Sequence, residues 1–405
     1  PNPQSPIPNP QSPFFISFFI FIPYYFLFIK NKFKSKMLEN KANNLNPIFK
    51  NNLIITKDYH SPSFLNRNSY YYEIYKLNIV KNAIYIAFAS ASKDQIKIIK
   101  MNLSDKKITE LISLKYDNFP QKIKYFYDKI QNKEYLFISF YEKIIIYLIQ
   151  TEKEFKIILE YEQKGEAGGR LKPIHILPIH DFEIFLNKFD NNIYLIVTFI
   201  YSIGCGKYLR DIKLLKFNNN NKLDLINEIK SYIDNQIFIS TLFLIWEDNI
   251  SKKIFLVANI DEYLKIIDIF NIKESYIDRN SQIDGINQDL GDKGCIIQNK
   301  ENDYLYLGNN EGQLRIINLR TKQIIKKLNI EVFINFIDNW NDKYIIIGNF
   351  SDIYVFDIEI NKIISKYSFN FNKNKAQKIK KFLSEEYNFY SLCIGESDKI
   401  IRLFY

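Results

Sequence analysis

Short runs of alternating hydrophobic and polar residues, separated by turn residues, fill most of the chain. The stretch DYLYLGNNEGQLRIINLRTKQIIKKLN begins at Asp303 and shows the pattern clearly. It contains an apolar run ending at Gly308, a short acidic turn, an alternating run ending at the polar Asn318, and a third run rich in Ile and Lys. This spacing, with β-branched residues in the runs and Gly or Asn between them, predicts β-strands joined by tight turns.

The same arrangement is repeated along the chain. Its next copy, DKYIIIGNFSDIYVFDIEINKIISKYS from Asp342, places Gly348 40 residues after Gly308. One more apolar segment precedes each copy, so each unit has four strands. A period of about 40 to 50 residues with several strands per unit predicts the blades of a β-propeller. Further copies begin at Ala83, Glu134, Asn192 and Lys253.

The last unit, FYSLCIGESDKIIRLFY, supplies only three strands. We expect the stretch NLIITKD, Asn52 to Asp58, to pair with Lys399 to Tyr405 and complete it, because an uncovered apolar edge strand invites aggregation. The predicted fold is therefore all-β: a seven-bladed β-propeller of four-stranded antiparallel blades over residues 52–405, with the ring closed by an N-terminal strand.

The stretches YLGNNEGQLRIINLRTKQIIKKL and GESDKIIRLFY resemble the WD-repeat propeller family, most clearly over residues 252–405. The resemblance implies a rigid platform without catalytic activity that binds peptides or protein surfaces. The family's Gly-His pair is absent from every unit. Its Trp-Asp pair is replaced by Ile317-Asn318, Phe356-Asp357 and Phe404-Tyr405.

Acidic residues recur in the turns between the second and third strands of the units. In a propeller these turns share one face, which could carry negative potential and attract a basic peptide. A second interpretation is that Asp and Asn occupy tight turns for backbone reasons. The candidate partner-binding residues are Asp94, Glu142, Asp261, Glu262, Glu311, Asp352, Glu396 and Asp398.

Neither the histidines nor the cysteines predict a metal site. His175 and His180 are five residues apart, which places them on opposite faces of a strand. The three cysteines, Cys205, Cys295 and Cys393, are far apart and lack metal-ligand spacing. They favour a reducing compartment, so we expect a cytoplasmic protein, with the nucleus as an alternative. We expect no metal, no cofactor and no enzymatic activity.

Three loop segments also lack the patterns of known ligand sites. KGEAGGRLK (Lys164 to Lys172) and IGCGKY (Ile203 to Tyr208) do not match a phosphate-binding loop and predict long loops at the third blade that could touch a partner. The acidic stretch Asp278 to Gly294 fails the calcium-loop pattern, because Gly291 stands where the last ligand, a Glu, is required.

Residues 1–36 form a Pro-rich and apolar leader, and residues 37–51 a linker. The apolar run Phe14 to Ile29 is followed by Lys30 and further lysines, and allows two interpretations: a membrane anchor, or a translated segment outside the working protein. These lysines also account for part of the net charge of +10. Direct binding of nucleic acid is therefore not expected, and the alternatives to a protein-binding scaffold are an adaptor in a nucleic-acid-associated complex and a membrane-tethered propeller.

Overall fold

The computed structural model divides the chain into two compact units, residues 1–46 and 47–405. The described residues all belong to the second unit, so the predicted leader and linker lie outside them. The described residues are 52–55, 71–78, 80, 83–90, 95–102, 108–116, 120–140, 143–162, 175–176, 181–204, 207–218, 220–234, 242–260, 263–271, 293–299, 302–309, 311–330, 334, 336–340, 343–349, 352–368, 376–383, 388–394 and 401–404.

The described residues form antiparallel sheets, each built mainly from consecutive strands. The N-terminal strand is β1 (Asn52–Ile55). Sheet 1 contains β2 (Tyr71–Tyr75), β3 (Ala83–Ser90), β4 (Gln95–Asn102) and β5 (Ile108–Lys115). Sheet 2 contains β6 (Lys122–Asp128), β7 (Lys133–Ser139), β8 (Lys143–Thr151) and β9 (Glu154–Glu162). Sheet 3 contains β10 (His175–Ile176), β11 (Asp181–Asn187), β12 (Asn192–Gly204), β13 (Lys207–Asn218) and β14 (Lys222–Asp234).

Four more sheets follow in chain order. Sheet 4 contains β15 (Phe243–Asp248), β16 (Lys253–Ile260) and β17 (Tyr263–Asp268). Sheet 5 contains β18 (Lys293–Gln298), β19 (Asp303–Gly308), β20 (Gln313–Asn318) and β21 (Gln323–Asn329). Sheet 6 contains β22 (Phe336–Asn339), β23 (Tyr344–Gly348), β24 (Asp352–Asp357) and β25 (Lys362–Ser368). Sheet 7 contains β26 (Ala376–Leu383), β27 (Asn388–Ile394), β28 (Ile401–Phe404) and β1.

Consecutive sheets contact one another through their first strands. These strands are β2, β6, β11, β15, β18, β22 and β26, and each contacts the next in that order. In sheet 3 we count β11 as the first strand, because β10 contains only two residues and pairs with the same strand, β12. The order shows that the sheets succeed one another in space as they do along the chain, which agrees with the repeat predicted from the sequence.

Apolar side chains fill the space between neighbouring sheets. The side chains of a strand alternate between its two faces, so one strand serves two cores. On β19, Leu305 and Leu307 pack into the core shared with sheet 4, whereas Tyr306 packs into the core shared with sheet 6. Similar cores join sheets 1 and 2, 2 and 3, and 3 and 4. Ile, Leu and aromatic residues therefore provide the main inter-sheet packing.

A polar contact joins sheets 4 and 5 within this packing. The Trp246 Nε1–H group donates a hydrogen bond to Oδ2 of Asp303 over 3.0 Å. The same oxygen accepts bonds from Arg320, whose Nη2 lies at 2.9 Å. Because the Asp303 side chain is buried, these bonds replace water lost by its Oδ2 atom on folding, whereas Oδ1 is buried without a hydrogen-bond partner among the described residues.

Five turns between strands share one local structure. An Asp or Asn is the last residue of the strand before the turn, and its side chain accepts hydrogen bonds from backbone N–H groups in the turn. The fourth turn residue then has a positive φ. The residue pairs are Asp128 and Asn132, Asn187 and Asn191, Asp248 and Lys252, Asn318 and Lys322, and Asp357 and Asn361. Asn318 and Asp357, which the sequence analysis aligned with the Asp of a Trp-Asp pair, therefore hold turns.

Sheet 7 contains strands from both ends of the second unit. Strand β1 pairs antiparallel with β28, with Asn52 opposite Phe404 and Ile55 opposite Ile401. Strand β28 in turn pairs with β27, and β27 with β26. The partner segments are those that the sequence predicted from the missing fourth strand of the last unit.

Two sheets differ from the predicted four strands. Sheet 4 has three described strands, and the segment expected to supply its fourth lies in residues 272–292, outside the described part of the chain. Sheet 3 has five strands, because β10 pairs with the far end of β12 while β11 pairs with its near end. Its strands β12, β13 and β14 contain 13, 12 and 13 residues, several more than the second to fourth strands of the other sheets.

Candidate interaction site

Of the eight acidic turn residues proposed from the sequence, the structure describes Glu311 and Asp352. Both lie at turns between the second and third strands of their sheets, as predicted. The remaining candidates lie outside the described residues: Asp94, Glu142, Asp261, Glu262, Glu396 and Asp398.

Contacts within sheet 6 occupy the carboxylate of Asp352. Oδ2 accepts a hydrogen bond from the Tyr354 hydroxyl at 3.1 Å, and Oδ1 lies 3.5 Å from Lys366 Nζ. The Asp352 backbone N–H donates to Oδ1 of Asn349 at 2.6 Å. Burial, and then the negative charge of Asp352, raise the pKa of Tyr354 above the usual tyrosine range. Asp352 therefore has a structural role, which supports the backbone interpretation of this acidic turn.

Glu311 lies in an exposed turn whose backbone is held by Asn309. The Asn309 side chain accepts hydrogen bonds from the backbone N–H groups of Glu311 and Gln313, at 3.1 and 2.8 Å. Gly312 follows with φ of 82°, a left-handed conformation that favours glycine. The turn presents the Glu311 side chain to solvent, where its carboxylate can meet a partner.

The structure brings together charged residues on the first strands of sheets 2 and 3 that the sequence analysis did not single out. Lys122 Nζ contacts the carboxylate of Asp181 and donates to the Phe182 carbonyl at 2.8 Å. Lys124 Nζ lies 3.0 Å from Glu183. In both ion pairs the acid lies 59 residues after the lysine, so β6 and β11 run side by side in the same direction. We call Lys122, Lys124, Asp181 and Glu183 the first-strand ion-pair cluster.

Burial and nearby negative charges have opposite effects on the pKa of Lys124. Burial alone would lower the pKa of Lys124, but the negative charges of Glu183 and Glu73 outweigh it and raise the pKa above the ordinary lysine range. Glu73, on the first strand of sheet 1, is itself buried. Its Oε1 accepts a bond of 3.4 Å from the Tyr125 backbone N–H. The ammonium of Lys124 therefore stays protonated and links charges from three consecutive sheets.

A tyrosine-rich contact joins the first strands of sheets 1 and 2 beside this cluster. The rings of Tyr75 and Tyr125 stack with centroids 4.8 Å apart. The Tyr125 hydroxyl donates to Glu134 Oε1 at 2.9 Å, and the Asn78 backbone N–H donates to the same oxygen at 2.5 Å. Burial, followed by the charge of Glu134, raises the pKa of Tyr125 above its ordinary range. This contact fixes the position of β6 and of the lysines that it carries.

The sequence contained a signal for the cluster. KIKYFYD and DFEIFLN each place charged residues at alternate positions of a first strand, with lysines in one and acids in the other. Alternation places those charges on one face of each strand. The sequence analysis did not pair Lys122 with Asp181, because the pattern of one strand does not show how that strand is aligned with a strand of the neighbouring sheet.

The segment IGCGKY, predicted from the sequence as a long loop, is mostly strand: Ile203 and Gly204 end β12, and Lys207 and Tyr208 begin β13. The other predicted loop, KGEAGGRLK, lies outside the described residues. His175 lies in β10, whereas His180 and both glycine-rich loop centres lie outside the described residues. Strands β12 to β14 are longer by several residues than the second to fourth strands of the other sheets, and each added residue lengthens a strand by about 3.3 Å.

The described residues contain no group of three or more His, Cys, Asp or Glu side chains arranged to hold a metal ion. In that same part of the chain, no helix has the length and hydrophobicity needed to cross a membrane. Cys295 is a buried free cysteine, and burial raises the pKa of its thiol well above the usual value. A buried thiol of this kind packs as a small apolar residue.

Comparison with solved structures provides a fold assignment. The chain superposes on BBS1N, solved in complex with ARL6DN in a crystal soaked with mercury, with a TM-score of 0.54 and 10% sequence identity, over 84% of this chain and 92% of that chain. The fold resembles the BBS1N β-propeller. A second BBS1N–ARL6DN structure, soaked with lead, gives a TM-score of 0.51 and 11% identity, over 82% of this chain and 90% of that chain. At these identities the likeness shows the fold alone.

Sequence comparison provides no family assignment. No family model matches the chain, and no curated protein sequence matches it.

Proposed function

We propose that the chain is a seven-bladed, WD-repeat-like propeller whose ring is closed by pairing between β1 and β28. Three observations support this architecture: the number of sheets formed by the described residues, the contacts between their first strands in chain order, and the position of β1 in sheet 7. The resemblance to BBS1N supports the propeller arrangement.

We further propose that this propeller is a non-catalytic scaffold that binds other proteins, and that it works in the cytoplasm. The observation that carries the proposal is the likeness to BBS1N, which was crystallised with a protein partner, ARL6DN. A propeller suits such a role because its turns and first strands present side chains from several blades on a fixed frame. The buried free thiol of Cys295 is consistent with a reducing compartment.

The proposed partner surface combines the exposed Glu311 turn with the edge of the first-strand ion-pair cluster. The cluster side chains are only partly buried, with Lys124 and Glu183 about one quarter exposed. A basic peptide could compete for Glu183 and Asp181, since both acids already bind lysine ammonium groups. Electrostatic complementarity of this kind contributes to specificity and to the association rate.

The proposal is tested by affinity capture from native cells with the full chain as bait. We expect a small set of proteins in stoichiometric amounts, unchanged by nuclease treatment, and weaker capture by a Glu311→Lys, Glu183→Lys variant. A Glu154→Lys, Glu160→Lys variant, which changes two carboxylates on the outer strand β9, is the control. Loss of all captured proteins after nuclease would instead favour the adaptor in a nucleic-acid-associated complex, since such contacts are sensitive to salt and nuclease.

A further inference from the structure

Three exposed hydrophobic side chains occupy equivalent positions in consecutive sheets. Ile130, Phe189 and Ile250 are 54%, 38% and 70% exposed. Each is the second residue of the turn between the first and second strands, in sheets 2, 3 and 4. We call these three residues the apical hydrophobes. Single exposed hydrophobic residues are common in proteins, whereas here three of them repeat at one turn position. Ile360, 57% exposed, is in the turn after β24 but at its third position.

The apical hydrophobes lie at the same end of their sheets. The 59-residue offset that aligns Lys122 with Asp181 also aligns Ile130 with Phe189, so the two turns are neighbours at one end of β6 and β11. The turns of sheets 3 and 4 are neighbours at the same end. Lys188, in the turn of sheet 3, has its Nζ 2.8 Å from the carboxylate of Glu247, next to the last residue of β15. This end is opposite to the Glu311 turn, which joins second and third strands.

Turn geometry does not require a hydrophobic residue at this position. The same turn structure occurs after β20 and β24, where the second turn residues are Arg320 and Glu359. The Asp or Asn cap and the left-handed residue fix the backbone in every case. The three turns of sheets 2 to 4 therefore present an apolar side chain where a charged one would fold equally well.

Lysines surround the apical hydrophobes. The acids Asp128 and Asp248 at the ends of β6 and β15 are buried and accept hydrogen bonds from backbone N–H groups of their own turns. Asp190 is the exposed acid among these turns. The Lys188 ammonium lies 5.4 Å from the centre of the Phe189 ring, which places charge and apolar surface together. The exposed lysines are Lys129, Lys133, Lys188, Lys252 and Lys253, of which Lys188 is paired with Glu247 and Lys253 with Asp268.

We propose that the turns of sheets 2 to 4 dock on an anionic lipid bilayer. Each hydrophobe lies near the middle of its own convex turn, a shape that a bilayer interface accepts without a matching groove. Lysine beside an apolar side chain suits this interface, where the chain enters the acyl boundary and the ammonium contacts lipid phosphates. Because the caps hold the turns before binding, little conformational entropy is lost on docking.

The test is sedimentation of the full chain with vesicles of phosphatidylcholine and phosphatidylserine, compared with phosphatidylcholine alone. The separate apolar run at residues 14–29 is first disabled by Phe19→Asp and Phe26→Asp in every protein used. We expect the parent protein to bind the mixed vesicles. A variant that combines Ile130→Ser, Phe189→Ser and Ile250→Ser should bind them at least about tenfold more weakly. Lys129→Gln, Lys133→Gln and Lys188→Gln together should reduce the preference for phosphatidylserine about tenfold.

The matched control is Ile157→Ser with Ile325→Ser, two equally exposed isoleucines on the outer strands β9 and β21. This variant should bind vesicles as the parent protein does. Circular dichroism checks that every variant keeps its fold. The proposal is overturned if the parent protein does not bind mixed vesicles, or if the three serine substitutions leave vesicle binding unchanged. It is also overturned if these substitutions weaken only the affinity capture of an acidic protein. The scaffold function is tested separately by affinity capture.

Discussion

At the scale of single residues, the turns depend on side chains that accept backbone hydrogen bonds and on residues that tolerate a left-handed backbone. Six non-glycine residues in the described part of the chain have positive φ, and Asn suits this conformation better than other L-residues do. Four of them are Asn and two are Lys: Asn132, Asn191, Asn221, Asn361, Lys252 and Lys322. The lysines therefore mark strained positions.

We predict that Lys322→Asn stabilises the protein. Lys322 has φ of 59°, and relief of this strain should raise the free energy of unfolding by about 0.5 kcal/mol and the melting temperature by about 0.7 °C. The control is Lys326→Asn on strand β21, where Asn has low β-propensity and should lower stability. Differential scanning fluorimetry measures both. A lower melting temperature for both variants would contradict the prediction.

A pH-dependent contribution to stability is expected from Asp248. Burial alone would raise the pKa of Asp248, but hydrogen bonds from Ser251 and from the Ile250 backbone, together with the charge of Arg320, hold it below the usual value. A depressed pKa stabilises the fold above the unfolded value of about 3.9, and this contribution is lost as pH falls through the folded value.

The measurement is thermal unfolding of the native protein and of Asp248→Asn from neutral pH down to acid. The native protein should be more stable at neutral pH, since the variant loses charge-assisted bonds, and its advantage should shrink as pH falls below about 4. Asn is an acceptable replacement because Asn318 caps the equivalent turn after β20. An advantage that stays constant at every pH would contradict the assignment.

At the scale of strands and sheets, apolar cores hold neighbouring sheets together and a few polar contacts set their register. The Lys124–Glu183 pair links the first strands of sheets 2 and 3, and Trp246 with Asp303 links sheets 4 and 5. Such pairs fix the alignment of neighbouring strands more than they add stability, because the cost of removing the charges from water offsets much of their attraction. Removing one partner is costly, since it leaves the other charge uncompensated.

A double-mutant cycle tests the alignment role of the Lys124–Glu183 pair. Lys124→Met should destabilise the protein by about 1–3 kcal/mol, less than full burial would imply because both side chains are partly exposed. Combining it with Glu183→Gln should recover about 1 kcal/mol. Lys156→Met on the exposed strand β9 is the control, with little expected change. Urea denaturation measures the native protein, the two single variants, the double variant and the control, and strictly additive effects would exclude direct coupling.

The sequence predicted the strands far better than the contacts between sheets. Alternation and turn residues located the repeated units from Ala83 onward, and the missing strand of the last unit pointed to Asn52 to Asp58, of which Asn52–Ile55 pairs with β28. Alternation describes one strand at a time, so it could not identify Asp181 as the partner of Lys122. The five-stranded form of sheet 3 was missed because Pro178 interrupts the alternating sequence pattern between β10 and β11.

At the scale of the whole molecule, strands from the two ends of the second unit share one sheet. The register places Ile54 opposite Arg402, and opposite residues in antiparallel strands have Cβ atoms about 5 Å apart. The ring closure that we propose therefore depends on a contact between positions separated by most of the chain.

Engineered cysteines test this contact. In a chain whose three native cysteines are replaced by alanine, Ile54→Cys with Arg402→Cys should form a disulfide on mild oxidation, detected as a linked peptide by mass spectrometry. Ile54→Cys with Leu403→Cys is the control, because a one-residue offset places the two side chains on opposite faces of the sheet. Equal cross-linking in both variants, or none in either, would contradict the register.

The pairing of β1 with β28 also has a consequence for the order in which the protein can form during synthesis. Sheets 1 to 6 each consist of segments near one another in sequence, so each can assemble soon after it leaves the ribosome. Sheet 7 cannot, because β1 must wait until residues 401–404 have been made. Throughout translation β1 remains without its partner, so a nascent chain is most exposed to misassembly and chaperone binding at that strand.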